Sequence, residues 1–170
     1  MRVLLYGFGP YGGFRHNITA RMIRAIPAGS RLKTIVFPVR FRRRQFVEAL
    51  TRHEPDLILG LGQSTRKEVV VETRAGNRRR AREDKKAQPI FANRPMWLPT
   101  TLKLSIGRWA GRSRDAGDYV CNYSMYVLLD EIARRRRDVR LGFIHVPYDY
   151  DLDKACRLLQ RVMRQCQRLS

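Results

Sequence analysis

Three side chains in this sequence could assemble a nucleophilic acyl-transfer site: a thiol at Cys121, an imidazole at His145 and a carboxylate at Glu72. A thiol attacks a carbonyl as thiolate, so it needs a base, and an acid on the far ring nitrogen holds that base in one tautomer. The segment around the thiol fits this use. Ser113-Arg114-Asp115-Ala116-Gly117-Asp118 is turn-forming, and it runs into the periodic apolar positions Tyr119, Val120, Tyr123, Met125, Tyr126, Leu128, Leu129 and Ile132. That pattern predicts a turn opening directly into a helix over 118–136. Cys121 then falls in or near the first turn, where unpaired backbone N–H groups and the helix dipole favour an anion and bias a thiol toward thiolate. Taken alone, the same position also suits a small buried apolar side chain.

The elements that must position these groups follow from the rest of the pattern. Val139 to Pro147 reads as a core strand with His145 near its carboxyl end, and Lys67 to Glu72 as a shorter strand delivering Glu72 into a loop. Upstream, residues 2–7 predict a buried first strand, and Phe8-Gly9-Pro10-Tyr11-Gly12-Gly13-Phe14 a flexible loop framed by aromatic rings. A helix over 17–26 capped by Asn17, a second strand over 31–37 and a helix over 41–52 come next. Glu54-Pro55-Asp56 breaks that helix before Leu57-Ile58-Leu59-Gly60-Leu61-Gly62, a central strand with Gln63 just past its end. In the last helix, over 150–168, Ala155, Leu159, Val162 and Cys166 share one stripe, which puts Cys166 in the core and Cys156 off that line. Alternating helices and near-continuous apolar strands predict the α/β class: a three-layer α/β/α sandwich with a twisted, largely parallel central sheet and its sites at the strands' carboxyl ends. Residues 75–95, polar and Arg-rich, predict an irregular, mobile segment, and 96–112 mix periodicities without specifying one element.

Composition narrows the function classes. With 170 residues, 44% of them hydrophobic, and no break in composition, the chain predicts a single domain over 1–170. No apolar run nears the roughly 20 residues of a membrane span, and the first residues show no cleavage-site pattern, so a cytoplasmic protein is expected. Cys121, Cys156 and Cys166 are odd in number and lack metal-ligand spacing, which indicates neither a disulfide framework nor a metal site. The formal charge of +20 lies in arginine clusters at 40–44, 78–82 and 134–137, without zinc-finger spacing or an RNA-binding aromatic signature. Solvated arginine-rich faces, with incidental nucleic-acid contact, account for it. Gly7, Gly9 and Gly12 satisfy G-x-G-x-x-G, but Pro10 and the aromatic rings crowd the place of a pyrophosphate, and the second strand ends Phe37-Pro38-Val39 without an acidic ribose ligand.

Four blocks together resemble the pyroglutamyl peptidase I (pyrrolidone-carboxylate peptidase) family of cysteine peptidases. They are Gly7 to Gly13 with Asn17 downstream; Gly60-Leu61-Gly62-Gln63 followed by Glu72 and Asn77; Ser113 to Tyr123; and Phe143-Ile144-His145-Val146-Pro147. The resemblance implies that Cys121 is the nucleophile, His145 the general base and acid, and Glu72 the third member of a triad. It places Tyr11 and Phe14 around an aromatic pocket for the pyrrolidone ring, Gln63 close to it, and Arg82 near the oxyanion region. The implied reaction removes N-terminal pyroglutamate from peptides through a thioacyl-enzyme, with no metal or cofactor, in an enzyme that can form a homo-oligomer. This chain departs from the family at several points. Tyr11 replaces the usual Phe, the stretch from Glu72 to Gln88 is shorter and more basic, Pro89 to Ser113 is compressed, and Tyr148 follows Pro147 where a second Pro is usual. These departures leave as alternatives a family-like hydrolase with altered specificity or lost activity, and a basic nucleic-acid-binding or scaffold protein that retains the fold.

Overall fold

The computed structural model describes residues 1–27, 29–81 and 85–168. Its strands are β1 (Val3–Phe8), β2 (Leu32–Phe37), β3 (Leu57–Ser64), β4 (Val70–Glu72), β5 (Arg74–Gly76), β6 (Trp97–Pro99), β7 (Gly111–Ser113) and β8 (Arg140–Pro147). The helices are α1 (Ile18–Arg24), α2 (Arg43–His53), α3 (Val120–Arg134) and α4 (Leu152–Arg168). Six strands form one sheet in the order β2-β1-β3-β8-β4-β7, and β5 pairs with β6 in a separate ribbon. The four strands from β2 to β8 are parallel, whereas β4 runs antiparallel to β8 and carries β7 parallel to itself. The predicted three-layer α/β/α sandwich with a largely parallel sheet is therefore the observed fold.

The period-2 alternation of the strands sorts side chains between two cores. Leu5, Leu59, Leu61, Ile144 and Val146 pack with α1 and α4, while Leu4, Tyr6, Phe8, Ile58 and Phe143 pack with α2 and α3. Because α1 and α2 cover opposite faces, the chain leaves β1 in one direction and returns to β3 in the other. Their carboxyl ends diverge and open a crevice. In β3 the residues on the α3 face shrink along the strand, from Ile58 to Gly60 to Gly62. Gly60 makes room for the rings of Tyr6 and Phe143, and Gly62 for the side chains of Cys121 and His145.

Arginines that the sequence assigns to solvated faces take specific partners. Glu131 of α3, 3% exposed, binds Arg43 of α2, Arg134 of its own helix and Arg135 just past its end, tying the two helices together. The segment expected to be irregular is partly organised. Asn77 accepts hydrogen bonds from the Ile90 and Phe91 N–H groups and donates to Phe91 O, and Arg79 bridges to Gln88. Residues 96–112 resolve into β6, a short 3-10 turn at Gly107–Trp109, and the start of β7. Among the described residues no helix is long and apolar enough to cross a membrane.

Candidate active site

Cys121 is the second residue of α3, as its sequence pattern predicts. The N-cap residue, Tyr119, makes no side-chain cap bond, and the first intrahelical N–H to find an acceptor is that of Tyr123, on Tyr119 O at 3.0 Å. The N–H groups of the opening turn thus point beyond the helix, the situation that stabilises negative charge. Behind the nucleophile, Ser124 Oγ donates to Cys121 O at 2.8 Å, and Tyr6 Oη in turn lies 3.0 Å from Ser124 Oγ. Asn122 fixes the helix laterally: its amide exchanges hydrogen bonds with both Gly76 N and Gly76 O and donates to Arg78 O.

His145 lies on β8 in register with Gly62 of β3 and Val70 of β4. Two residues beyond Val70, Glu72 pairs with Phe143, so its side chain is a diagonal neighbour of the imidazole on the same sheet face. The antiparallel setting of β4 brings the carboxylate in from the far side of the ring. Glu72 Oε1 lies 2.8 Å from His145 Nδ1, with Glu72 fully buried and His145 6% exposed. The opposite nitrogen faces the thiol: a Cβ placed on Gly62 would stand 2.8 Å from Cys121 Sγ and 2.8 Å from His145 Nε2. Burial opposes a charged ring here. The hydrogen bond and charge of the Cys121 sulfur, followed by those of Glu72, outweigh it and lift the His145 pKa from 6.5 to about 9. Thiol, imidazole and carboxylate are therefore linked in series.

The sulfur and ring open onto a cleft of about 260 Å³. Phe8, Tyr11, Val39 and Tyr119 supply apolar wall, and Asn17, Gln63 and Ser64 supply polar atoms. Gln63 Oε1 accepts from Ile18 N–H at 3.0 Å, whereas Gln63 Nε2 and Ser64 Oγ are buried without a hydrogen-bond partner among the described residues. The Gln63 amide near the Tyr11 hydroxyl favours its anion. Burial and the nearby sulfur dominate, and they push the Tyr11 pKa upward. Phe14 stands behind Tyr11, with ring centroids 5.5 Å apart, and packs at a tilt against Tyr148 at 5.3 Å, outside the cleft lining itself. Tyr148 thus backs Phe14 outside the cleft. Arg82 lies outside the described residues.

Sequence reasoning missed what holds the cleft's rim. Loop 114–118 is gripped by four arginines: Arg66 donates to Asp115 O, Arg74 to Arg114 O, Arg78 to Gly117 O and the Asp115 carboxylate, and Arg80 pairs with Asp118. The Arg78 to Arg80 cluster was the visible signal, but charge alone does not say which carbonyls it meets. Gly62 reads in the sequence as part of the central strand and of the Gly60-Leu61-Gly62-Gln63 block, without a sign of its role. Its missing side chain lets base and nucleophile meet, so Gly62→Ala should lower kcat about 10²-fold while leaving the fold intact, as read by hydrolysis rate and circular dichroism.

Among the described residues no group of three or more His, Cys, Asp or Glu could hold a metal ion. A thiol in line with a buried imidazole and carboxylate, at the carboxyl edge of an α/β sheet, places the chain among proteins equipped for thiol-based acyl transfer. Comparison with known proteins narrows that class. The family model described as pyroglutamyl peptidase matches residues 1–152. The pyrrolidone-carboxylate peptidase of Thermococcus onnurineus is 34% identical, over 91% of this chain and 88% of that protein. That of Clostridium perfringens is 32% identical, over 87% and 79%. The crystal structure of pyroglutamyl peptidase I from Bacillus amyloliquefaciens superposes with a TM-score of 0.82 at 28% identity, covering 95% of this chain and 92% of that one. The chain belongs to the pyroglutamyl peptidase family, a family of cysteine peptidases.

Proposed function

We propose that this chain hydrolyses the amide bond after an N-terminal pyroglutamyl residue, with Cys121 as nucleophile, His145 as base and then acid, and Glu72 as the group that orients and charges the ring. The observation that carries this reading is the sulfur–imidazole–carboxylate series, with His145 Nδ1 2.8 Å from Glu72 Oε1 and Nε2 turned toward Cys121. With Nδ1–H donated to Glu72, Nε2 is free to take the thiol proton. The thiolate adds to the pyroglutamyl carbonyl carbon, and the resulting oxyanion is met by N–H groups at the start of α3. Collapse breaks the C–N bond as Nε2–H protonates the departing amine, which leaves a thioester on Cys121. Water, deprotonated by His145, then attacks that thioester. The C–S bond breaks, pyroglutamate leaves, and the thiol–imidazole pair is restored.

The cleft suits a flat, uncharged lactam. Such a ring offers no charge to grip, so selectivity must come from apolar faces and a few placed hydrogen bonds. Tyr11 gives the face, and the unpartnered Gln63 Nε2 and Ser64 Oγ give polar atoms that a lactam amide can satisfy. The charged rim residues Arg66 and Asp118 are already engaged, by Asp115 O and Arg80. The wild-type chain is expected to release p-nitroaniline from pyroglutamyl p-nitroanilide and to leave prolyl p-nitroanilide, which lacks the lactam carbonyl, at least about 10²-fold less reactive. Equal rates on the two, or none on the first, would overturn the reading.

A further inference from the structure

We infer that the outer face of α4, together with Trp109, is a binding surface for single-stranded nucleic acid. Half of the arginines in the three clusters conspicuous in the sequence are held by carboxylates. Arg43 and Arg44 pair with Glu131 and Glu48, Arg78 and Arg80 with Asp115 and Asp118, and Arg134 and Arg135 with Glu131. Helix α4 differs. Arg157, Arg161, Arg164 and Arg168 recur at intervals of four, three and four residues, which aligns them on one face, and all four are exposed. None of the four takes part in an ion pair within 4.0 Å among the described residues, and the single acidic residue near the stripe on this helix, Asp153, precedes it by one turn. At 1.5 Å per residue the stripe extends about 16 Å along the helix axis.

An aromatic ring stands beside this row of cations. Trp109, 44% exposed, has Arg108 and Arg161 of the stripe beside it, with guanidinium carbons 6.0 and 5.9 Å from the ring centroid. A line of unpaired guanidinium groups tracks a phosphate backbone, and an accessible indole next to it offers a platform for an unpaired base. A membrane surface fits less well, because the apolar face of α4 (Ala155, Leu158, Leu159, Val162) is buried against the sheet and, among the described residues, Trp109 is the only large apolar side chain exposed here. None of these residues lines the cleft at Cys121, so the surface and the reaction are spatially separate.

The test is fluorescence anisotropy with a labelled 20-nucleotide oligo(U), with a 20-base-pair duplex and phosphatidylserine vesicles as competitors. Binding by the full chain should weaken at least tenfold in R157Q/R161Q/R164Q, with the slope of log affinity against log salt shallower by about 2. Trp109→Ala should weaken it about tenfold with the slope retained. A control that removes equal charge elsewhere, R24Q/R31Q/R52Q, should change affinity less than threefold, and all variants should keep the wild-type thermal midpoint. Equal weakening by the control would reduce the effect to bulk charge and overturn the inference. So would indifference to Trp109→Ala, or vesicles that displace the oligonucleotide more effectively than unlabelled oligo(U).

Discussion

Cys121→Ala should abolish hydrolysis of pyroglutamyl p-nitroanilide, a fall in kcat on the order of 10⁶-fold, because no other group in the cleft can form the thioester. Cys156 and Cys166 cannot substitute: both sit on α4, their pKa values are pushed up by burial, and neither lines the cleft. The variant should fold normally, since Cys121 is only partly buried and alanine favours the first turn of α3. A thermal midpoint within a few degrees of wild type, with turnover at background, is the expected pair of results. Turnover surviving this change would remove Cys121 from the mechanism. With the sulfur gone, His145 also loses the partner that contributes most to raising its pKa, so a titration of its ring by NMR should move to lower pH.

Glu72→Gln should have the next largest effect, a loss of about 10²–10⁴-fold in kcat, and it should also change the shape of the pH profile. Glutamine presents either an oxygen without charge or an amide nitrogen to His145 Nδ1, so the ring is held less firmly in the tautomer that leaves Nε2 toward the sulfur. In the wild type the imidazolium persists until the ring loses its proton, which sets an alkaline limb near pH 9. Loss of the carboxylate removes a hydrogen bond and a charge that both raise the ring's pKa, so the limb should move to lower pH. Stability follows the same linkage. The folded ring holds its proton above the unfolded value of 6.5, so the stabilisation is fully present below that pH and is lost as pH rises through about 9. An unchanged alkaline limb in Glu72→Gln would show that the carboxylate does not charge the ring.

How much of the site could be read in advance depended on how local each signal was. The turn before Cys121, the helix after it, and the apolar strand ending near His145 are patterns within ten residues, and each element lies where its pattern puts it. Glu72 was legible as a strand end, but its approach to Nδ1 depends on β4 running against β8, a pairing between residues more than seventy positions apart that no periodicity in either strand encodes. The stretch over 75–95 looked irregular because its order comes from single side chains, Asn77 above all, binding backbone groups across a loop. Arg78 and Arg80 looked solvated for the same reason: their acceptors are a carbonyl and carboxylates of loop 114–118, remote in sequence.

By itself the sequence determined the α/β class, the elements that carry thiol and imidazole, and the family, because hydrophobic period, turn residues and short motifs act over a few residues of chain. Only the tertiary structure decided that the sulfur and Nε2 meet over the bare backbone of Gly62, that Glu72 reaches the ring from an antiparallel strand, and that Arg157, Arg161 and Arg164 have no carboxylate partner among the described residues. Each of these is set by distances between segments far apart in sequence, which are fixed when the sheet closes and two helical layers pack onto it.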